Sequence, residues 1–356
     1  SCRAGFAGDA APEAVFPSVV GRPRVNPTVM VGMMVPDHYV GHDALRRRGF
    51  CGCKIPVTRG VVTNWDDLER IWHHTFYNEL NIQPQDHPVL VTEAPLTPKA
   101  DREKMLQMLF ETFEVPAAYL CNAQVLALYA AGRTRGMVVD FGATWIAAVP
   151  IYDGVSIAHC VACLDFGGVE LTGYLMELLT DRGYYFQRTQ DRIIADDIKE
   201  KLGYVALDFD AELATTEQET SYELPSASVI AVSSERFRCC EPIFLPSLLG
   251  LECPGIQAQI AEAASNCDVD VHEELFASVL LAGGSSLLPR LSERLAKELS
   301  ALTKHPVNVI APPSRQYSTW VGGSTLASLP SLRSTWLSRD EYEEDGPQQV
   351  HERCVS

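Results

Sequence analysis

Three short stretches have residue types and spacing that suit chemistry, and two of them share one logic: backbone N–H groups left bare by paired glycines. Val279-Leu280-Leu281-Ala282-Gly283-Gly284-Ser285-Ser286-Leu287 reads as a strand, two glycines and polar residues able to start a helix. Unobstructed N–H groups in such a turn suit a nucleotide or a phosphate. Close packing of a helix on a strand is the other use of paired glycines. Trp320-Val321-Gly322-Gly323-Ser324-Thr325-Leu326 repeats the pattern and carries the same two readings. The third stretch, Met137-Val138-Val139-Asp140-Phe141-Gly142-Ala143, is an apolar strand that ends in a carboxylate and a tight turn. An Asp there can hold a hydrated Mg²⁺, which keeps most of its waters and needs few protein ligands; it can equally cap its own turn. No GxxxxGK[ST], GxGxxG or GxSxG sequence occurs, so phosphate-loop, dinucleotide and serine-hydrolase chemistry lack their motifs.

These stretches need a scaffold of alternating strands and helices. Amphipathic spacing predicts helices over 66–80, with Leu68, Ile71, Trp72, Thr75 and Phe76 on one stripe, and over 98–113, capped by Thr97 with Pro98 in first position. Further helices are predicted over 171–179, 194–205 and 291–302, and apolar strands over 89–91, 137–139, 146–151, 279–281 and 307–310. The mixture is α/β. Glycines near 132–136 and 322–323 suit a chain that crosses from one lobe to another and back, and no repeat of solenoid or propeller length is present.

The chain has 356 residues, with 46 acidic against 29 basic side chains and a formal net charge of −17. That surface repels phosphate backbones, so no DNA or RNA partner is expected. The best basic cluster, Arg46-Arg47-Arg48, reads as solvated surface or as the meeting point for an acidic partner. No apolar run reaches the length of a membrane span, so neither insertion nor secretion is expected. Eleven scattered cysteines fit reduced thiols, and Cys160-x-x-Cys163 and Cys51-x-Cys53 lack the further ligands of a zinc site. His73-His74 sits within an amphipathic helix, where an apolar-face histidine reads as a satisfied core residue rather than a metal ligand. The chain opens at Ser1 in a glycine-containing turn, which reads as a truncated start.

Over nearly its whole length the sequence resembles actin. The resemblance is carried by Ala4-Gly5-Phe6-Ala7-Gly8-Asp9, by 15–24, 62–80, 87–96, 199–209, 221–225 and 235–239, by Gly283-Gly284 and by 317–329, in actin order. It implies two ribonuclease-H-like α/β lobes around a cleft for ATP or ADP with Mg²⁺ or Ca²⁺. The first lobe would comprise 1–130 plus 318–356, with an insert at 18–55, and the second 131–317, with an insert at 167–251. By motif, Asp140 matches the aspartate that organises the hydrated cation, with Gly142 in the same turn; Gly168, Lys199, Glu200, Gly283, Gly284, Ser285 and Leu287 match nucleotide-side positions, and Arg3 stands for the lysine of the first phosphate loop. Residues 24–53 resemble the loop that docks onto a neighbouring subunit, and 244–255 the cross-strand plug. Tyr129, Gly132, Thr134, Leu326 and Leu329 resemble the cleft that receives actin-binding proteins.

The departures lie where actin performs chemistry. The first phosphate loop proper would precede Ser1, where the sequence reads as truncated. Ala123 holds the position of the water-orienting glutamine, and Gln124 comes one residue late, about 100° away around a helix. Phe141, Ala143, Thr144, Ile146 and Ala147 replace Ser, Asp, Gly, Thr and His of the second loop. Val169 and Asp196 replace arginines, Gln316 a lysine and Arg59 a histidine; Pro27 and Pro36 stiffen the docking loop, which is one residue longer. Hydrolysis of a phosphoanhydride rests on positioned water and charge stabilisation. Slow or absent hydrolysis and weakened nucleotide affinity are therefore expected. The sequence thus reads as a cytoplasmic or nuclear actin-like subunit of a filament or assembly, partnered by itself, actin or actin-binding proteins. The alternative is a non-polymerising scaffold subunit; a sugar kinase or chaperone ATPase of the same superfamily fits the actin-specific blocks poorly.

Overall fold

The computed structural model describes residues 1–24, 36–186, 191–215 and 219–354. The chain forms two compact units, one of Ser1–Gly132 with Thr319–Ser356 and the other Arg133–Ser318.

The second unit is built on a six-stranded sheet. Gly136–Phe141 lies antiparallel to Ile146–Tyr152 and parallel to Val279–Ala282, which in turn runs parallel to Val309–Ile310. The strand 136–141 is apolar on both faces except at Asp140, as expected for a strand covered by helices on each side. Leu171, Leu175, Leu178 and Leu179 of the helix Gly168–Asp181, and Leu291, Leu295 and Leu299 of the helix Leu291–Leu302, pack into one core with Phe141, Ile146 and Leu281. The register Asp140↔Ala282 sets the carboxylate beside the first residue of the glycine turn.

The first unit holds a sheet in which Val89–Glu93 runs parallel to Ala117–Asn122, which pairs antiparallel with Leu337–Ser338. A smaller sheet places Val20–Pro23 between Tyr39–Val40 and Cys51–Lys54. Phe16, Val20, Val40 and Ile71 form a small core beneath it.

The helix expected over 194–205 runs instead over Asp191–Leu202, and two others change type along their length. The expected 66–80 helix is α over Trp65–His73, capped by the Asn64 side chain, which accepts from the Asp67 N–H, and closes as a π-helix over His74–Glu79. The expected 98–113 helix is α over Lys99–Gln107 and π over Met108–Thr112. Thr97 does not cap it: its hydroxyl donates to the Ala94 carbonyl at 2.9 Å, and Pro98 takes the cap position. The helix starts at Lys99, which puts Thr97 one residue ahead of the cap position.

The second glycine pair is also resolved. Gly322-Gly323 lies inside the helix Ser318–Ser328, so its N–H groups are spent on helix hydrogen bonds and offer nothing to a phosphate. A Cβ on Gly322 would sit 1.7 Å from the Leu126 carbonyl oxygen, so glycine here lets two helices touch backbone to backbone. His74, the apolar-face histidine, is satisfied by Glu79 Oε1 at 3.0 Å and packs edge-on against Phe16.

In the second unit Arg294 and Glu241 form a buried pair at 3.1 Å, and Arg294 also donates to the Ala206 carbonyl and to Glu298. Burial outweighs Arg294 and pushes the Glu241 carboxyl from its ordinary 4.5 up to about 7. The sign follows from the proton count: between these values the folded state binds more protons than the unfolded, so this group's contribution is present below about pH 4.5 and is lost as pH rises towards 7. Glu241→Gln is expected to flatten that part of the Tm-versus-pH curve by about 3 °C between pH 5 and pH 8, read by thermal melts; an unchanged slope would show that Glu241 is ionised throughout. Gly322→Ala is expected to cost about 3 kcal/mol in denaturant unfolding, because neither backbone can give way.

Candidate functional site

The second unit brings together most of the residues that the resemblance places on the nucleotide side. The strand Val279–Ala282 ends at Gly283, whose φ of +85° is reached without strain only by glycine. A Cβ there would lie 2.4 Å from Asp140 Oδ1 and 2.4 Å from the Phe141 carbonyl oxygen. Residues 284–287 form one 3-10 turn in place of an α-helix start. Gly284 faces open space, and Leu287 stays 39% exposed, so this turn presents an accessible edge. Arg315 braces the turn from outside the motif: its guanidinium donates to the Ser286 carbonyl at 2.7 Å and to the Ser286 hydroxyl at 3.0 Å.

The turn after Asp140 and the start of the helix Gly168–Asp181 interlock. The N–H groups of Gly168 and Val169 donate to the carbonyls of Gly142 and Ala143 at 3.1 and 2.8 Å, and the Ser285 hydroxyl donates to the Gly142 carbonyl at 3.1 Å. A Cβ on Gly168 would strike Ser285 Oγ at 2.4 Å, and one on Gly167 would strike the Gly142 oxygen at 2.6 Å. The glycines of this site are therefore required by the approach of three turns to one another. The same bonds turn the Gly168 and Val169 N–H groups inward, away from any phosphate.

Lys199 is the only strong cation of the matched set in this unit, and it is consumed. Its ammonium, 8% exposed, donates to Asp196 Oδ1 at 2.6 Å, the Thr172 hydroxyl at 2.7 Å and the Gly168 carbonyl at 2.9 Å. All three N–H bonds of the ammonium are thus satisfied inside the protein. Asp196, which stands where the resemblance places an arginine, is the anion that completes the clasp. Thr172 was not singled out by the sequence reading. Its position four residues beyond Gly168, on the same helix face, is the signal that could have found it. Glu200 follows on the exposed side of its helix, where desolvation and the nearby Asp196 raise its carboxyl pKa.

The other matched residues lie elsewhere. Arg3 is on the strand Cys2–Ala4 of the first unit, paired with Val15. Ala123 opens the helix Ala123–Ala130, and its carbonyl accepts from the Thr319 hydroxyl at 3.1 Å. Gln124, buried to 2%, keeps α-helical register there; no local shift returns it to the position held by Ala123. Tyr129, Gly132, Leu326 and Leu329 belong to the first unit and Thr134 to the second. The plug-like segment closes on itself: a Cβ on Gly255 would meet the Phe244 oxygen at 2.0 Å, and Leu249 and Leu251 pack on the core. Of the docking-loop segment, residues 25–35, with Pro27 among them, lie outside the described residues.

Among the described residues no group of three or more His, Cys, Asp or Glu side chains is placed to hold a metal ion. Cys160 donates to the Asn266 carbonyl at 3.1 Å, and all eleven cysteines are free thiols. Among the same residues no helix is long and apolar enough to cross a membrane.

The clasp has a measurable consequence. Lys199→Met is expected to lower unfolding free energy by about 2 kcal/mol, since it removes the cation that Asp196 faces and one of the donors to the Gly168 carbonyl and the Thr172 hydroxyl, and Thr172→Val by about 1 kcal/mol. Equal, negligible losses in denaturant titration would mean that the ammonium does not hold the helix start.

A family model described as Actin matches residues 1–355. With that match spanning the chain, and with a mixed α/β structure that fits the actin-like fold, the protein belongs to the actin family.

Proposed function

We propose that this chain is an actin-like cytoskeletal subunit of a filament or larger assembly that binds ATP or ADP with Mg²⁺ or Ca²⁺ weakly and hydrolyses ATP slowly or not at all. One observation carries the reading: the Asp140 carboxylate and the accessible Gly283–Leu287 turn are retained side by side, while Lys199 is locked onto Asp196 and Thr172 and Arg315 onto Ser286. The donor set fits a nucleoside and a hydrated cation and gives little grip on phosphate. Asp140 would hold the cation through water, and Gly283, Gly284, Ser285 and Leu287 would line the adenosine. When bound, the cation neutralises charge on phosphate oxygens.

The protein's own residues account for the missing hydrolysis. The Ala123 methyl group can neither accept from nor donate to an attacking water, and the buried Gln124 points its amide from another angle of the helix. Ala143 and Ala147 add no carboxylate or imidazole to replace them. Without a group to fix the water, positional and electrostatic contributions to the rate are both lost.

Titration with a fluorescent ATP analogue should show Mg²⁺-dependent binding that Asp140→Asn weakens by roughly tenfold, with phosphate release close to the protein-free rate. Rapid release, sensitive to Asp140, would overturn the reading. Sedimentation in Mg²⁺ and salt then separates the two structural roles: a pellet supports the filament subunit, and a stable soluble complex with a partner supports the scaffold. The spent Lys199 favours slow nucleotide turnover under both.

A further inference from the structure

The small sheet of the first unit carries a charge opposite to that of the whole chain. Residues 20–54 contain six basic and two acidic side chains, in a protein of net charge −17. Most of this charge collects at one corner. The helix Gly41–Arg46 runs into a turn in which the Phe50 and Cys51 N–H groups both donate to the Arg47 carbonyl. The Arg24 N–H donates to the Phe50 carbonyl at 2.9 Å, so Arg24 emerges next to Arg46, Arg47 and Arg48.

The corner is ordered by its own contacts. Arg47 pairs with Asp43 at 3.0 Å and lies 4.5 Å above the Tyr39 ring, and Tyr39 meets Phe50 edge-on with centroids 6.2 Å apart. Asp43 also faces Arg46, at 3.8 Å, and that carboxylate is the only anion paired with the cluster among the described residues. Arg24, Arg48 and Lys54 have no ion pair among the described residues. Phe50 is 49% and Ile55 53% exposed beside them. Surplus positive charge is thus fixed around an exposed aromatic ring, an arrangement in which a ligand's anions and apolar groups are both accommodated.

We propose that this corner, Arg24 with Arg46, Arg48 and Phe50, is a docking surface for a short acidic, aromatic-bearing peptide segment of another protein. Charge complementarity selects the occupant. Charges more than about 8 Å apart are screened at physiological ionic strength, so a peptide of a few residues senses the local excess of arginine. A long polyanion such as a nucleic acid, or an anionic membrane, extends beyond the corner and meets the acidic remainder of the surface. Tyr39 and Arg47 are already held in place and add no ordering cost, while the exposed Arg46 side chain is ordered on docking.

The test is fluorescence anisotropy of the full chain with a labelled peptide of alternating glutamate and tyrosine. Binding should weaken steeply as salt is raised towards about 0.15 M, and Arg46→Glu with Arg48→Glu should reduce affinity roughly tenfold or more. Lys99→Glu with Lys304→Glu changes net charge equally at exposed sites away from the corner and should leave binding within about twofold. Phe50→Ala should weaken the tyrosine-containing peptide more than an all-glutamate one, which a purely Coulombic surface would not do. Thermal melts establish that each variant is folded. The proposal is overturned by equal loss in the control pair, by no binding at low salt, or by tighter binding of a single-stranded oligothymidylate or phosphatidylserine vesicles than of the peptide. Self-association abolished by the arginine variants would also overturn it, by assigning the surface to a second copy.

Discussion

Close backbone approach is the constraint on which the second unit's site depends. Three turns, those after Asp140, before the helix Gly168–Asp181 and after the strand Val279–Ala282, meet at distances that leave no room for a Cβ at Gly167, Gly168 or Gly283. Because the strands 136–141 and 279–282 are parallel neighbours in fixed register, the Asp140 carboxylate and the Gly283 turn must arrive at the same end of the sheet. Ligand sites in open α/β sheets gather at the carboxyl ends of the strands for this reason. The bare glycines that could be read as a cradle for phosphate are occupied by the protein's own backbone, and only Gly284 opens outward.

The electrostatics follow from that packing. Bringing the helix start against the Asp140 turn buries the Gly168 carbonyl and the Thr172 hydroxyl, which bonds that carbonyl, and Lys199 donates to both. A buried ammonium needs an anion, which Asp196 provides from three residues earlier on the same helix. An arginine at position 196 would leave two cations facing one another across a helical turn. The exchange of charge at 196 and the inward turn of Lys199 are therefore one structural event. It makes Lys199, which the resemblance places on the nucleotide side, a fastener for the fold.

The long periodic segments were legible in the sequence. The leucines at 291, 295, 299 and 302 specified their helix to the residue, and the apolar runs at 137–139, 146–151 and 279–281 became central strands, because hydrophobic period is a local property. The π-turns at His74–Glu79 and Met108–Thr112 were not legible, since no residue type marks where a helix widens to place an aromatic such as Phe76 or Phe113 against a neighbour. Thr97 had the right type for a cap and the wrong position, because Pro98 sits between it and the first helical residue, Lys99.

What the sequence determined by itself is composition-borne and local: the family blocks, the α/β alternation, the acid at the end of strand 136–141, and the absence of a glutamine at Ala123. Only the tertiary structure decided the meaning of the two glycine pairs. Gly322 and Gly283 occupy the same five-residue pattern, yet one lies against the Leu126 carbonyl inside a helix and the other turns a strand end beside Asp140. Glycine permits both backbones at similar cost, so the choice rests on which element, hundreds of residues away in sequence for Gly322 and Leu126, is packed against it. The fate of Lys199 was decided in the same way, by a hydroxyl, a carbonyl and a carboxylate that converge only after the helices have packed.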